Sequence, residues 1–143
     1  MRLTATLFAL SFCLGNLFAQ NPTDACGPGV QTLTSTASCT PGAYTLPGSY
    51  ANGGAVAASC LGGQDRDDGW YQFVATGTST TVDVTGDETR TVATFTGSCG
   101  TGELACDNQA AGTTASITFA TTIGNTYYIQ VHRNSGNNTA TMA

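Results

Sequence analysis

Lysine is absent from this sequence, and charged residues of either sign are few. All four basic residues are arginines, and charged side chains make up 9% of the 143 residues. Nine acidic residues outnumber them, and the formal net charge is −5 at pH 7. Proteins that neutralise nucleic-acid phosphates or anionic membrane surfaces use clustered Lys and Arg. Because Arg66, Arg90 and Arg133 are scattered, the composition excludes nucleic acid and polybasic membrane contact.

Beyond residue 20 the chain also lacks a helical period and a long apolar run. The largely apolar residues 3–18 follow Arg2 and end before the polar residues 21–24. This stretch is shorter than the run of about 20 residues that spans a bilayer, and its pattern is typical of a secretory signal peptide. We predict a signal peptide over residues 1–19, with cleavage after Ala19 or Gln20. The protein is then secreted or held at the cell surface, without membrane insertion.

Residues 20–143 are the size of a single domain. Without residues 1–19 the formal charge is 3 − 9 = −6. Glycines at 77, 86, 97, 112, 124 and 136 separate short apolar stretches, a spacing typical of consecutive antiparallel strands. Alternating apolar residues within these stretches predict an all-β sandwich. The predicted core is Trp70, Phe73, Val82, Val84, Phe95, Ile117, Phe119, Tyr127, Ile129 and Val131.

The cysteines predict a disulfide-stabilised protein. One of the six lies in the predicted signal peptide, which leaves five in an oxidising compartment. Spacing favours the pairs Cys39–Cys60 and Cys99–Cys106, the second closing a six-residue loop. Cys26 is then unpaired, and an odd count indicates a piece of a longer protein. Zinc is disfavoured because no Cys-x-x-Cys occurs and the single histidine is distant in sequence.

Acidic residues before the Trp70 strand form a candidate calcium site. Asp65, Asp67 and Asp68 could supply carboxylate oxygens to Ca²⁺, which takes about 6–8 oxygen ligands. The alternative is a solvated acidic turn in which Asp68 caps backbone N–H groups and Arg66 offsets the charge. Three carboxylates do not fill the coordination shell, so the turn is favoured.

The remaining polar and aromatic residues have plain structural interpretations. Asp107 and Asn108 are predicted turn formers, and His132 an exposed strand end. Four tyrosines either present a ring platform for sugars or are partly buried with a hydrogen-bonded hydroxyl, and burial is favoured. These are Tyr44, Tyr50, Tyr71 and Tyr128. No Gly-x-Ser-x-Gly motif occurs, and we predict that the chain is not an enzyme.

Five short motifs follow one another along residues 20–143. They are Cys60-Leu-Gly-Gly, Asp68-Gly-Trp70-Tyr71-Gln-Phe73, Phe95-Thr-Gly97-Ser-Cys99-Gly, Leu104-Ala-Cys106-Asp107-Asn108 and Gly124-Asn-Thr-Tyr127-Tyr128-Ile129-Gln-Val131. In this order and spacing they resemble the pre-peptidase C-terminal type of domain of secreted Bacteroidetes-type surface proteins, and the resemblance covers nearly all of residues 20–143. It implies a non-catalytic, antiparallel jelly-roll β-sandwich, with a last strand cut short at Ala143 where relatives often carry a further cysteine.

The function expected from these observations is that of a non-catalytic extracellular module of an exported bacterial protein. Its role would be structural or adhesive, with weak binding to a polysaccharide or a surface protein. The alternative is an accessory domain that targets a secreted protease or glycanase. An open strand edge would also favour self-association.

Overall fold

The computed structural model describes residues 12–14, 21–23, 25–37, 44–46, 58–60, 68–86, 89–97, 100–133 and 140–142. Within these ranges the chain forms strands and turns and no helix, as the absence of a helical period predicts. The strands are β1 (Phe12–Leu14), β2 (Gln31–Leu33), β3 (Ser35–Thr36), β4 (Tyr44–Leu46), β5 (Asp68–Val74), β6 (Ser79–Val84), β7 (Arg90–Phe95), β8 (Glu103–Gln109), β9 (Ala115–Ala120), β10 (Thr126–Arg133) and β11 (Ala140–Met142).

These strands form two larger sheets and a short ribbon. The four-stranded sheet has the order β3-β1-β6-β9, the five-stranded sheet has the order β2-β5-β10-β7-β8, and β11 pairs with β4. Most neighbours are antiparallel, but β1 runs parallel to β6 and β2 runs parallel to β5. The expectation of a purely antiparallel fold is therefore wrong. Both exceptions use short strands before residue 34, where alternation was too weak to show strand direction.

Strand β1 lies within the residues that the sequence assigns to a signal peptide. Phe12 and Cys13 pair with Thr80 and Thr81 of β6, while Cys13 also pairs with Thr36 of β3. The segment thus fills a position between two strands of the smaller sheet. The signal peptide and its cleavage stay predictions.

The two larger sheets share an inner core. An aromatic trio lies at its centre: Phe73 stacks on Tyr127 with ring centroids 5.5 Å apart, and Phe119 lies 6.4 Å from Phe73 and 5.9 Å from Tyr127. The smaller sheet also contributes alternate residues of two strands to this core. They are Val82 and Val84 of β6 and Ala115 and Ile117 of β9. All ten residues predicted for the core are buried. Their burial follows from the two-residue period of strands, which places alternate side chains on one face.

Strand β8 was not predicted, since its residues do not alternate cleanly between apolar and polar. The hairpin before it is held by backbone bonds from Thr96 N–H to Gly102 C=O (3.1 Å) and from Gly97 N–H to Thr101 C=O (3.0 Å). Gly102 has φ of 66°, a left-handed conformation that favours glycine. Asp107 and Asn108 consequently lie inside β8, and their assignment to a turn is wrong.

Candidate functional site on the outer face of the five-stranded sheet

The five-stranded sheet is buried on its second face as well as on the face that meets the inner core. Trp70, Ala93 and Phe95 form a second apolar cluster there with Val30 and Ala58. The rings of Trp70 and Phe95 lie 5.8 Å apart. Trp70, Tyr71 and Phe73 fall on both faces of β5, a pattern typical of a central strand, and β5 lies between β2 and β10. We call this second face the outer face.

Two short segments are fastened over the outer face. Thr23 and Trp70 exchange backbone hydrogen bonds of 3.2 and 2.9 Å, which attach the chain before β2 to β5. On the opposite side, the backbone N–H of Ser59 donates to Glu103 Oε2 at 2.8 Å and its hydroxyl donates to Oε1 at 2.5 Å. Asn108 Nδ2 donates to the Cys60 carbonyl at 3.3 Å. The cover is therefore tied to both β5 and β8.

A disulfide joins Cys60 to Cys106, with Cα atoms 5.9 Å apart. The predicted pairs Cys39–Cys60 and Cys99–Cys106 are wrong, because both contain a cysteine of this bond. The register explains the error: Cys106 lies opposite Ala93, in the middle of the ladder between β7 and β8. It therefore points to the outer face, where residues 58–60 lie. Cys39 and Cys99 lie outside the described residues.

Cys26 was predicted to be unpaired, and this expectation is also wrong. Cys26 is disulfide-bonded, and it packs against the outer apolar cluster. The odd count of cysteines arose because Cys13 was assigned to the predicted signal peptide. Spacing along the sequence also does not show which cysteines the fold brings together.

Beside the apolar cluster lies a row of buried polar residues on three neighbouring strands. His132 of β10 stands opposite Asp68 of β5 on one side and opposite Thr91 of β7 on the other. Each of these three residues is 1% exposed, and Gln130, next along the same face of β10, is 3% exposed. We call Asp68, Thr91, Gln130 and His132 the buried polar row.

Asp68 accepts hydrogen bonds from two buried side chains at one of its carboxylate oxygens. Trp70 Nε1 donates to Asp68 Oδ2 at 3.0 Å, and Gln130 Nε2 donates to the same atom at 2.8 Å. Asp68 and Trp70 are two residues apart, so the strand places them on one face. The carboxylate thereby fixes the indole of the only tryptophan in the chain and the amide of Gln130 on the neighbouring strand.

The expectation that His132 is an exposed strand end is wrong. The polar alternation of Tyr128, Gln130 and His132 suggested a solvated face, but the cover buries Gln130 and His132, and Tyr128 is half-buried. Nearby on β10, Arg133 is fully buried, and this burial lowers the pKa of its guanidinium below the ordinary value. Periodicity alone does not distinguish a polar face under a second layer from a polar face in water.

The calcium hypothesis receives no support from the described part of the chain. Asp65 and Asp67 lie outside it, and Asp68 Oδ2 accepts two side-chain hydrogen bonds. No group of three His, Cys, Asp or Glu residues close enough to hold a metal ion occurs among the described residues. Asp68 is also buried at the start of β5, so it does not lie in a solvated acidic turn.

A different pair of carboxylates lies at the edge of the smaller sheet. The Ser116 hydroxyl donates to Asp83 Oδ1 at 2.5 Å, and the Ser116 backbone N–H donates to Asp107 Oδ2 at 2.8 Å. Gln109 Nε2 donates to Asp107 Oδ1 at 2.8 Å. Asp107 thus satisfies a backbone donor on β9, the outermost strand of its sheet, and blunts an edge that would otherwise pair with another strand.

The tyrosines do not form a shared platform in the described residues. Tyr71 is buried in the inner core and Tyr128 packs half-buried against the outer cluster, so these two lie on opposite faces of one sheet. Tyr50 lies outside the described residues, and so does the side chain of Tyr44. Partial burial, as the favoured interpretation expects, is found for Tyr128, whereas Tyr71 is fully buried.

Comparisons of this chain with protein-family models, with curated proteins and with solved structures gave no match. The resemblance to the pre-peptidase C-terminal type of domain stays a prediction from the motifs. Among the described residues, no helix is long and apolar enough to cross a membrane.

Replacing Asp68 tests its organising role. Asp68→Ala leaves the Trp70 and Gln130 donors buried without their acceptor, at about 1–3 kcal/mol for each such group. We expect the free energy of unfolding in urea to fall by several kcal/mol, with loss of the tryptophan signal in near-ultraviolet circular dichroism. Asp68→Asn, which keeps one oxygen acceptor, should lose less. The control Asp83→Ala, at an exposed carboxylate, should change stability by at most about 1 kcal/mol. Equal losses for Asp68→Ala and Asp83→Ala would contradict the assignment.

The disulfide correction is tested by peptide mapping without reduction. Cleavage at Arg66, Arg90 and Glu103 places Cys106 in a different fragment from Cys60, whose fragment also contains Cys26 and Cys39. Tandem mass spectrometry of the linked fragments then shows which of these three cysteines is bonded to Cys106. We expect Cys60 to be bonded to Cys106, and we expect the linked fragments to separate on reduction. Recovery of a Cys99–Cys106 fragment instead would contradict the structure. Because a native disulfide of a small secreted domain contributes about 2–5 kcal/mol, Cys60→Ser with Cys106→Ser should lower the urea midpoint markedly.

Proposed function

We propose that this chain is a non-catalytic, disulfide-stabilised extracellular module of an exported protein, with a structural or adhesive role and a jelly-roll-like sandwich arrangement. The observation that carries the proposal is that carboxylates of the five-stranded sheet accept hydrogen bonds from other parts of the fold. The carboxylates of Asp68, Glu103 and Asp107 accept hydrogen bonds that hold strands and cover segments together. This chemistry stabilises the architecture rather than serving a substrate.

Export is supported by the disulfide and by the apolar segment over residues 3–18. Disulfides persist in oxidising compartments, and Cys60–Cys106 closes a sequence separation of 46 residues. Small domains that leave the cell commonly rely on such cross-links in addition to a core. A structural or adhesive role suits a module whose layers are fastened covalently.

The surface that we propose for weak binding is the exposed face of β6 and β9. Thr81 Oγ1 and Thr118 Oγ1 lie 2.8 Å apart across these strands, and Asp83 and Ser116 are bonded beside them. Thr118, Asp83 and Ser116 are exposed, whereas the residues between them point into the core. Hydroxyls and a carboxylate on a sheet face present donors and acceptors to the hydroxyls of a polysaccharide. A surface protein is the alternative ligand.

Binding is tested on an array of bacterial and host polysaccharides with the secreted protein. We expect weak binding that Thr81→Ala with Thr118→Ala reduces about tenfold, the equivalent of about 1.4 kcal/mol. Thr126→Ala, an exposed threonine outside this face, is the matched control and should bind as the wild type does. No signal above background from the wild type would contradict carbohydrate binding. Equal loss in both variants would place the ligand elsewhere.

Self-association through a strand edge is a further part of the proposal. In this structure β1 pairs with the edge of β6, and cleavage at the predicted site would remove β1. The exposed backbone groups of β6 would then be able to pair with a strand of a second copy. Light scattering on residues 20–143 is expected to show a concentration-dependent dimer, and a monomer at every concentration would contradict this part.

A further inference from the structure

Strand β1 occupies a space one strand wide in the four-stranded sheet, between β3 and β6. Cys13 pairs with Thr36 of β3 on one side and with Thr81 of β6 on the other. Neighbouring strands lie about 4.8 Å apart, so β3 and β6 lie about 10 Å apart across this space. We call the space between β3 and β6 the strand slot.

Both walls of the strand slot are held by contacts that do not involve β1. Strand β6 pairs with β9 from Ser79 to Val84. Strand β3 follows β2 after one residue, and β2 pairs with β5. The Thr76 hydroxyl also donates to Ser35 Oγ of β3 at 3.1 Å. Removal of residues 1–19, which belongs to the proposed export and on which this inference rests, therefore leaves the slot open with its walls in place.

The register defines what kind of strand fits the slot. Phe12 stands opposite Thr80, which is buried on the core-facing side of β6, and Cys13 stands opposite Thr81 on the outward side. Because successive residues of a strand alternate between faces, Leu14 shares the core-facing side with Phe12. The slot thus takes a strand that is parallel to β6, antiparallel to β3 and apolar at alternate positions.

Strand β4 has the sequence that the slot requires. Its residues, Tyr-Thr-Leu, repeat the order of an aromatic residue, a small residue and a leucine found in the Phe-Cys-Leu of β1. In the place of Cys13, Thr45 would stand between Thr36 and Thr81, and cross-strand threonine pairs stabilise a sheet. Thr81 Oγ1 already lies 2.8 Å from Thr118 Oγ1 on its other side. Three further hydroxyls would then continue one outward row with Thr118.

Strand β4 is also available to leave its present position. It belongs to neither larger sheet, and its described partner is β11, with which it forms three residue pairs from Tyr44 to Leu46. A two-stranded ribbon is marginally stable by itself in water. Pairing on both sides inside the slot would satisfy more backbone groups of β4 than the ribbon does.

The link between β3 and β4 favours a second copy as the source of the strand. This link, residues 37–43, contains Thr40-Pro41. A residue before proline prefers extended backbone, which opposes the reversal needed to lay β4 beside β3 of the same chain. Seven extended residues reach about 23 Å, far enough to carry β4 to a neighbouring molecule. Reciprocal exchange of this kind closes a two-fold symmetric dimer.

We propose that β1 blocks the strand slot before export, and that Tyr44–Leu46 of a second copy fills the slot once residues 1–19 have been removed. Each copy gives its β4 and receives that of the other. The partner in self-association is then a second copy of this chain, and the predicted signal peptide determines when association begins.

Cross-linking between two variants tests the strand and its register together. Residues 20–143 carrying Thr45→Cys are mixed with residues 20–143 carrying Thr81→Cys and oxidised. Directly opposed residues of neighbouring strands lie within disulfide reach. We expect a covalent dimer that reduction separates, with peptide mapping that joins position 45 to position 81. The matched control replaces Thr81→Cys by Thr118→Cys, at an exposed threonine one strand further on, and should not link to position 45.

Three further outcomes decide the proposal. Absence of the 45–81 link from the mature mixture, in protein whose Trp70 emission shows that it is folded, would overturn strand exchange. Thr45→Cys and Thr81→Cys placed in one chain should still give a dimer, and an internal link in a monomer would overturn the second copy. The same mixture made with residues 1–143 should give no link, and a link there would overturn the blocking role of β1. Export is scored separately, from the mass of the secreted protein.

Discussion

Burial of the five-stranded sheet on both faces is the constraint on which the rest of the structure depends. Its inner face meets the four-stranded sheet around Phe73, Phe119 and Tyr127, and its outer face carries Trp70 and Phe95 beneath a cover. Many antiparallel sheets leave one face exposed to solvent, and their polar residues on that face stay hydrated. Here the cover brings polar residues of β5, β7 and β10 into the interior, where a polar group is costly unless it is hydrogen-bonded.

The chain meets this constraint with few charges. Asp68 accepts bonds from two buried side chains, and Glu103 accepts two from Ser59 of the cover. The Cys60–Cys106 bond then fixes the cover to β8. Burying a carboxylate is costly unless it is hydrogen-bonded, and the neutral donors around Asp68 offset that cost. A module built this way is suited to a structural or adhesive role outside the cell.

The sequence predicts burial correctly where the two-residue alternation of side chains along a strand determines it. The ten core residues followed from alternation, and all ten are buried. The central position of β5 followed from its aromatic residues, which fall on both faces of the strand. The predictions were wrong for residues whose burial depends on the segments that cover the outer face. His132 and Gln130 look solvated in a linear pattern, and Cys106 looks like the end of a hairpin loop rather than the middle of a strand. No local pattern encodes which distant segment covers a sheet, so the disulfide partner of Cys60 and the burial of Asp68 were beyond reach.

The burial of the outer face is tested most directly by the fluorescence of Trp70, the only tryptophan in the chain. The indole is 2% exposed and donates to Asp68. We predict short-wavelength emission from the folded, oxidised protein and protection from a soluble quencher such as iodide, with both properties lost on unfolding. Long-wavelength emission and full quenching in the folded protein would show that the outer face is open to water, and would contradict the two-sided burial of this sheet.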